Sequence, residues 1–381
     1  MKSAGPLPYW RLSGFYFFYF ASLGALVPFW GPYLQSCGFD ATRIGELMAV
    51  LMATKIVAPN IWGWIADHSG RRIRIVRIAS LLSAMVFTGV FYAEGFWAVA
   101  LVMALFSFFW NASLPQFEAV TINHLGEQTE YYSRVRLWGS IGFIASVAGL
   151  GATLDRYGMS LVPQVVLLLY VGIWLVSLSV PERIDGPHAH DQGSLLEVLR
   201  QPRIMAFLVT CFLMQAGHGA YYAFYSLYLE KFGYSNSMTG ALWALGVVAE
   251  VLAFIVMHRL MVRYSARQML LISLSTAAAR WLLIALFPQW LWVLVGAQLL
   301  HATTFGTFHA AAIHLVHRYF RGRHQGRGQA LYSSVSFGAG GAVGSLASGY
   351  IWSGLGPAWT YGVSTLVALL ALFTAWRWVD R

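Results

Sequence analysis

Lys55, Glu118, Arg136, His218, Glu250, Arg280, His301 and His309 all stand inside stretches that are otherwise apolar. An ionisable group at the centre of a bilayer costs at least ~2.5 to 3.5 kcal/mol on insertion scales, so a chain keeps one to pair it or to line a wet cavity. Lys55, Arg136 and Arg280 would attract an organic anion through charge-assisted hydrogen bonds. Glu250 first, then Glu118, His301 and His309, would exchange protons, since imidazole titrates near neutral pH. No Cys or carboxylate on the stretch carrying His301 and His309 completes a metal ligand set. No nucleophile with a matching base stands near a membrane face, so neither an enzyme nor a cofactor is expected.

Spacing sets the heights of these groups. Lys55 lies roughly 16 Å from the end of its stretch at ~1.5 Å per residue, too deep to reach the headgroups. A shift of 195 positions brings Lys55 onto Glu250, so the two halves of the chain present opposite charges at equivalent depths. Glu118 and Arg136 are centred on residue 127, and Glu250 and Arg280 on Ser265, so antiparallel helices bring each pair to one level. An ion pair that merely holds helices together is the alternative in both cases. Gln215, His218, Tyr221, Tyr222 and Tyr225 recur at helical spacing on one face, which suits either a partly flat, apolar ligand or an interhelical hydrogen-bond ladder. Tyr16, Tyr19 and Ser22 do the same near Pro28, and His301 and His309 lie about 80° apart around their helix.

The elements that must position these groups are membrane helices. Of 381 residues, 58% are hydrophobic and 10% charged, where soluble domains run nearer ~45 to 50% and ~25%. The fold class expected is all-α integral membrane, with twelve spans of roughly 20 residues each. They fall near 12–34, 44–65, 73–92, 96–125, 135–155 and 159–180, then 203–229, 237–260, 268–287, 289–316, 329–353 and 358–378. Residues 1–181 and 203–381 would form two pseudo-symmetric six-helix bundles, joined by a polar linker over 182–202 that carries Asp185, His188, His190 and Asp191. The repeat shows at the 195 offset, where Tyr33-Leu34, Gly38 and Gly45 meet Tyr228-Leu229, Gly233 and Gly240. Six spans repeated in parallel put a substrate site near the midplane between the halves.

The net charge of +10 does not indicate nucleic acid, because Lys and Arg concentrate in alternate loops. Lys2, Arg11, Arg74, Arg77, Arg183, Arg323 and Arg381 share one side, against Arg43, Arg156 and Lys231 on the other, which places both termini in the cytoplasm. Trp97, Trp290, Trp292, Trp352 and Trp359 would form an aromatic belt at the outer ends. Cys37 and Cys211 are too far apart in depth for a disulfide. The partners expected are a small-molecule substrate, protons and membrane lipid, with the chain a monomer.

The loop after the second span reads Gly63-Trp64-Ile65-Ala66-Asp67-His68-Ser69-Gly70-Arg71-Arg72. It resembles the G-x-x-x-D-R-x-G-R-R signature of the major facilitator superfamily, with His68 in place of the usual Arg. Gly63 and Gly70 allow close approach and a tight turn, and the Asp67 carboxylate can meet Arg71 or a helix N-terminus, so this loop would act as a conformational switch. The second half keeps Arg267 of the pattern, with Arg263 where the Asp would be. Asn111 to Glu118 and Ser133 to Gly139 resemble helices four and five of lactose permease, where an acidic residue and an Arg at this separation bind the sugar. By the same resemblance Arg280 and His301 match the helix-nine Arg and helix-ten His, while Thr304 and Gln298 stand where a carboxylate and a Lys are expected.

Gln215 to Tyr222, Leu245 to Val251 and Val135 to Ser140 resemble the bacterial 3-phenylpropionic acid transporters. That resemblance implies proton-coupled symport of a small aromatic carboxylate across the bacterial inner membrane by alternating access. A sugar or nucleoside symporter is the alternative that Glu118 and Arg136 suit equally well.

Overall fold

The computed structural model describes residues 7–128, 130–182, 198–321 and 325–380. The positions Lys2, Arg183, Asp185, His188, His190, Asp191, Arg323 and Arg381, and most of the expected linker, lie outside the described residues. The first half forms α1 (Tyr9–Ser36), α2 (Ala41–Ser69), α3 (Arg72–Phe87, prolonged by a 3-10 turn Thr88–Phe91), α4 (Gly95–Leu125), α5 (Tyr131–Tyr157) and α6 (Leu161–Ser179). The second half forms α7 (Pro202–Lys231), α8 (Asn236–Arg263), α9 (Ala266–Leu286), α10 (Leu291–Tyr319), α11 and α12 (Pro357–Trp378). Helix α11 runs through Gln325–Ser333, a π-helical Ser334–Gly340 and Gly341–Gly354. Among the described residues there is no strand.

Eleven of these helices are long and apolar enough to cross a membrane. Helix α11 is less apolar because its centre is Ser- and Gly-rich. Each observed helix falls within a few residues of its expected span, because the runs end at local signals. Asp40 caps α2 by accepting from Arg43 N at 2.9 Å, and Ser235 caps α8 by accepting from Met238 N at 3.2 Å. These caps stand at the 195 offset. The glycines just before them, Gly38 and Gly233, both take left-handed φ values of 90° and 79°, a conformation that favours Gly. The internal repeat is therefore one of backbone conformation as well as of residue type.

Within each half the helices bury small residues against one another, and the outer surface stays apolar: Ile255, Val262 and Leu366 are each more than 60% exposed. A bilayer, not water, is the solvent such a surface requires. The halves meet along two seams, α2 against α11 and α5 against α8. A Cβ on Gly45 would stand 2.7 Å from Gly349 Cα, and one on Gly240 would stand 2.4 Å from the Val147 carbonyl oxygen. The face opposite the termini is closed further by polar contacts between halves. Asp155 on α5 accepts from the backbone N–H groups of Asn236 and Ser237 at 2.8 and 3.0 Å and from the Ser237 hydroxyl. Thr42 donates to Ser353 at 2.8 Å, and Tyr350 to Glu46 at 2.8 Å.

Trp97, Trp290, Trp292 and Trp359 are exposed, as an interfacial belt requires. Trp352 is not part of it: it is buried, stacked on Phe224 at 4.9 Å, with Lys231 over its ring. Cys37 is exposed and Cys211 buried, both as free thiols.

Candidate functional site

The hairpin between α4 and α5 brings Glu118 and Arg136 to one height. Arg136 Nε lies 3.9 Å from Glu118 Oε1, and each side chain keeps about a third of its surface accessible (32% and 34%). The guanidinium sits over the Phe20 ring at 4.0 Å and the Tyr16 ring at 5.3 Å. Both groups stand well inside their helices and yet are accessible. Lys55 on α2 shares that condition. Among the described residues it has neither an ion pair nor a hydrogen bond. The neighbouring polar groups are engaged with each other: Asn111 donates to Thr54 at 2.9 Å, and Thr54 to Ser107 at 3.0 Å.

In the second half, Arg280 is fully buried. Its Nε donates to the Ala297 carbonyl at 2.8 Å, Nη1 to Thr304 Oγ1 at 3.2 Å and to His301 Nδ1 at 3.1 Å, and Nη2 to Gln298 Oε1 at 3.3 Å. Its plane is held between Tyr221 and Trp281, 4.4 and 4.7 Å from their centroids. Arg280 and Glu250 share a height, yet they are not direct partners: His301 stands between them, its Nε2 3.7 Å from Glu250 Oε2. Because a guanidinium only donates, His301 Nδ1 must accept, and the ring proton sits on Nε2, facing Glu250. The two positions where a charged residue would stand by resemblance, Gln298 and Thr304, supply Arg280 with neutral acceptors instead.

The middle of α10 widens into a π-helical turn, Ala302–Thr307, a feature often found at functional sites. It lines up His301, Phe305 and His309 as a near-parallel column, with centroids 5.4 and 6.2 Å apart. His309 Nδ1 pairs with Tyr332 Oη on α11 at 3.0 Å. Arg136 stands on α5 and Glu250 on α8, the two helices of one seam, so the two clusters lie on either side of the contact between the halves.

The tyrosine stripe of α7 divides. His218, Tyr221 and Tyr225 are buried inside the second half, and Tyr222 alone of the four is partly accessible. His218 packs edge-on against Trp281 at 4.9 Å, and Tyr221 donates to Gln298 at 2.9 Å and lies 4.3 Å from the Trp243 ring. The helical period aims these three at α8 and α9, inside the second half. Tyr16 donates to Thr121 at 3.3 Å, and Tyr19 stacks on Trp110.

In the loop after α2, Gly70 takes φ 64° and ends the helix, with its N–H on the Ala66 carbonyl. Asp67 pairs with Arg72 at 2.5 Å, not with Arg71, and Arg72 also donates to Gln116 on α4 at 2.7 Å. Arg71 occupies the N-cap of α3. Gly63 faces the Gln116 side chain. Gln116, Gln298, Thr304, Phe305 and Tyr332 are site residues that spacing alone does not single out. Gln116 stands two positions before Glu118, Gln298, Thr304 and Phe305 stand about one turn from His301, and Tyr332 has no buried charge near it in sequence.

The family model described as "MFS_1 like family" matches residues 9–363. The "Probable 3-phenylpropionic acid transporter" of Escherichia coli is 33% identical over 379 residues, covering 94% of each chain. The maltose permease of Geobacillus stearothermophilus is 26% identical over 366 residues, 94% of this chain and 92% of that one. Among solved structures, a point variant of the nucleoside transporter NupG superposes with a TM-score of 0.87 at 17% identity, covering 97% of this chain and 98% of that chain. Twelve long helices among the described residues in two repeated sets, the loop after α2 and a family match along nearly the whole chain agree: the chain belongs to the MFS_1-like family of the major facilitator superfamily, and it is a membrane transporter.

Proposed function

We propose that this transporter imports a small aromatic carboxylate, such as 3-phenylpropionate, together with protons by alternating access. The face carrying the termini is the cytoplasmic one, and the membrane is the bacterial inner membrane. The observation that carries the substrate reading is Lys55, a cation deep in a membrane span with no counter-charge among the described residues. A substrate carboxylate supplies that charge. Arg136, already half-engaged by Glu118, offers a second anchor, and the ring of Phe20 and the accessible edge of Tyr222 suit a phenyl group. The similarity to the E. coli relative favours the same substrate class. The alternative, a sugar or nucleoside, would leave Lys55 without an anion.

Glu250 is the coupling residue in this reading. With Arg280 bonded, His301 is held as the neutral Nε2–H tautomer, so an incoming proton goes to Glu250. Protonation and substrate occupancy must favour the same conformational change, since a ligand shifts a population only through differential affinity. The test is transport in vesicles. Glu250→Gln should abolish accumulation driven by a proton gradient and keep counterflow exchange; accumulation at the wild-type level would reject the assignment. Competition of uptake by phenylpropionate, galactosides and nucleosides separates the substrate classes.

A further inference from the structure

From Val251 to Val379 the sequence contains no Asp or Glu. The arginines at the termini-bearing ends of α8 to α12 therefore have one carboxylate among the described residues of their own half within reach, Asp380, which Arg318 holds at 2.5 Å and Tyr319 at 2.9 Å. Asp380 and Arg318 line a cavity of about 610 Å³ together with Arg203, Ser265, Arg267 and Trp378. Three guanidinium groups thus face one carboxylate that is already occupied.

The internal repeat shows what is missing. Arg267 stands 195 positions after Arg72, which pairs with Asp67 at 2.5 Å. The four residues from Val262 to Ser265 hold no acid to do the same. Arg267 instead donates once, from Nη2 to the Trp376 carbonyl at 2.6 Å, and its Nε is buried with no acceptor. Arg203 is held by the neutral Gln201 side chain at 2.9 Å. The cavity also receives the first turn of α9, where the Ser265–Gln268 capping box satisfies two donors and the positive end of the helix remains.

We infer that this cavity binds a phosphate group from outside the chain in place of the missing carboxylate, with Arg267 and Arg203 as its ligands. Two parallel N–H donors of a guanidinium match two phosphate oxygens. The cavity lies at the helix ends beside Trp376 and Trp378, which are partly exposed (51% and 43%), at the depth where anionic lipid headgroups sit. An anionic phospholipid such as phosphatidylglycerol presents the group there; free phosphate presents the same chemistry from solution.

The test is native mass spectrometry of the purified full chain titrated with dioleoylphosphatidylglycerol, with dioleoylphosphatidylcholine as the zwitterionic control. Wild-type protein should retain one phosphatidylglycerol with at least about tenfold preference. Arg267→Gln should lower that affinity about tenfold. Ser265→Asp keeps a capping residue at the start of α9 and places a carboxylate beside Arg267, so it should remove the preference without removing any arginine. Displacement of the lipid by millimolar inorganic phosphate would assign the site to free phosphate; resistance would assign it to the lipid. Equal retention of the two lipids by wild type, or unchanged preference in both variants, would overturn the inference.

Discussion

A guanidinium does not release its proton under physiological conditions, and the state of the second-half cluster follows from that property. Arg280 fixes the tautomer of His301, and His301 presents its one proton to Glu250. A second proton on the ring would require Arg280 to let go, so in the proposed mechanism the imidazole is the bridge and the carboxylate the exchanging group. Lys55 is the complementary case, with neither an ion pair nor a hydrogen bond among the described residues. Replacing it by Met should remove one charge-assisted contact with an anionic substrate, worth about 1.5 to 3 kcal/mol. The expected result is a roughly 10- to 100-fold loss in kcat/KM for uptake of phenylpropionate, partly restored by Lys55→Arg. A neutral substrate would show no such loss.

Single helices carry the next layer of consequence. The start of α8 is capped twice, from within by Ser235 and from the other half by Asp155. Ser235→Ala removes a local cap and should lower stability by about 1 kcal/mol, read as a fall in melting temperature of the purified protein. Asp155→Ala removes a contact made between the halves. It should shift the population toward opening at the face opposite the termini by roughly tenfold, about 1.4 kcal/mol. Spin-label distances across the α5–α8 seam would report that shift. An unchanged distance distribution would mean that the glycine contacts alone keep the seam shut. The π-helical turns in α10 and α11 show a related effect: each widens its helix locally, and the turn in α10 aligns Phe305 between two histidines.

Across the whole molecule, the two native thiols report orientation. Cys37 is exposed on the face opposite the termini and Cys211 is buried. A membrane-impermeant maleimide added to intact cells should label one cysteine per chain, and Cys37→Ser should abolish that labelling. Labelling that appears only after the cells are broken would reverse the assigned orientation. The two seams and the contacts at the face opposite the termini join the halves, and opening that face requires Asp155 to part from α8 and Thr42 from Ser353.

The spans, their order and the repeat were legible in the residues because they depend on local quantities: about 20 apolar residues to a span, a capping Ser or Asp, a glycine at a left-handed turn. The height of a buried charge was legible too, since a hairpin with a known turn fixes it at 1.5 Å per residue. That is why Glu118 and Arg136 could be paired from sequence and are paired in the structure. Azimuth was not legible. Glu250 and Arg280 share a height, but helix rotation and the wide turn of α10 insert His301 between them. Asp67 likewise meets Arg72 instead of its neighbour, and Trp352 turns inward from the belt. Which partner each charge finds is decided by how neighbouring helices are rotated and packed, a property of the assembled bundle and not of any one stretch of chain.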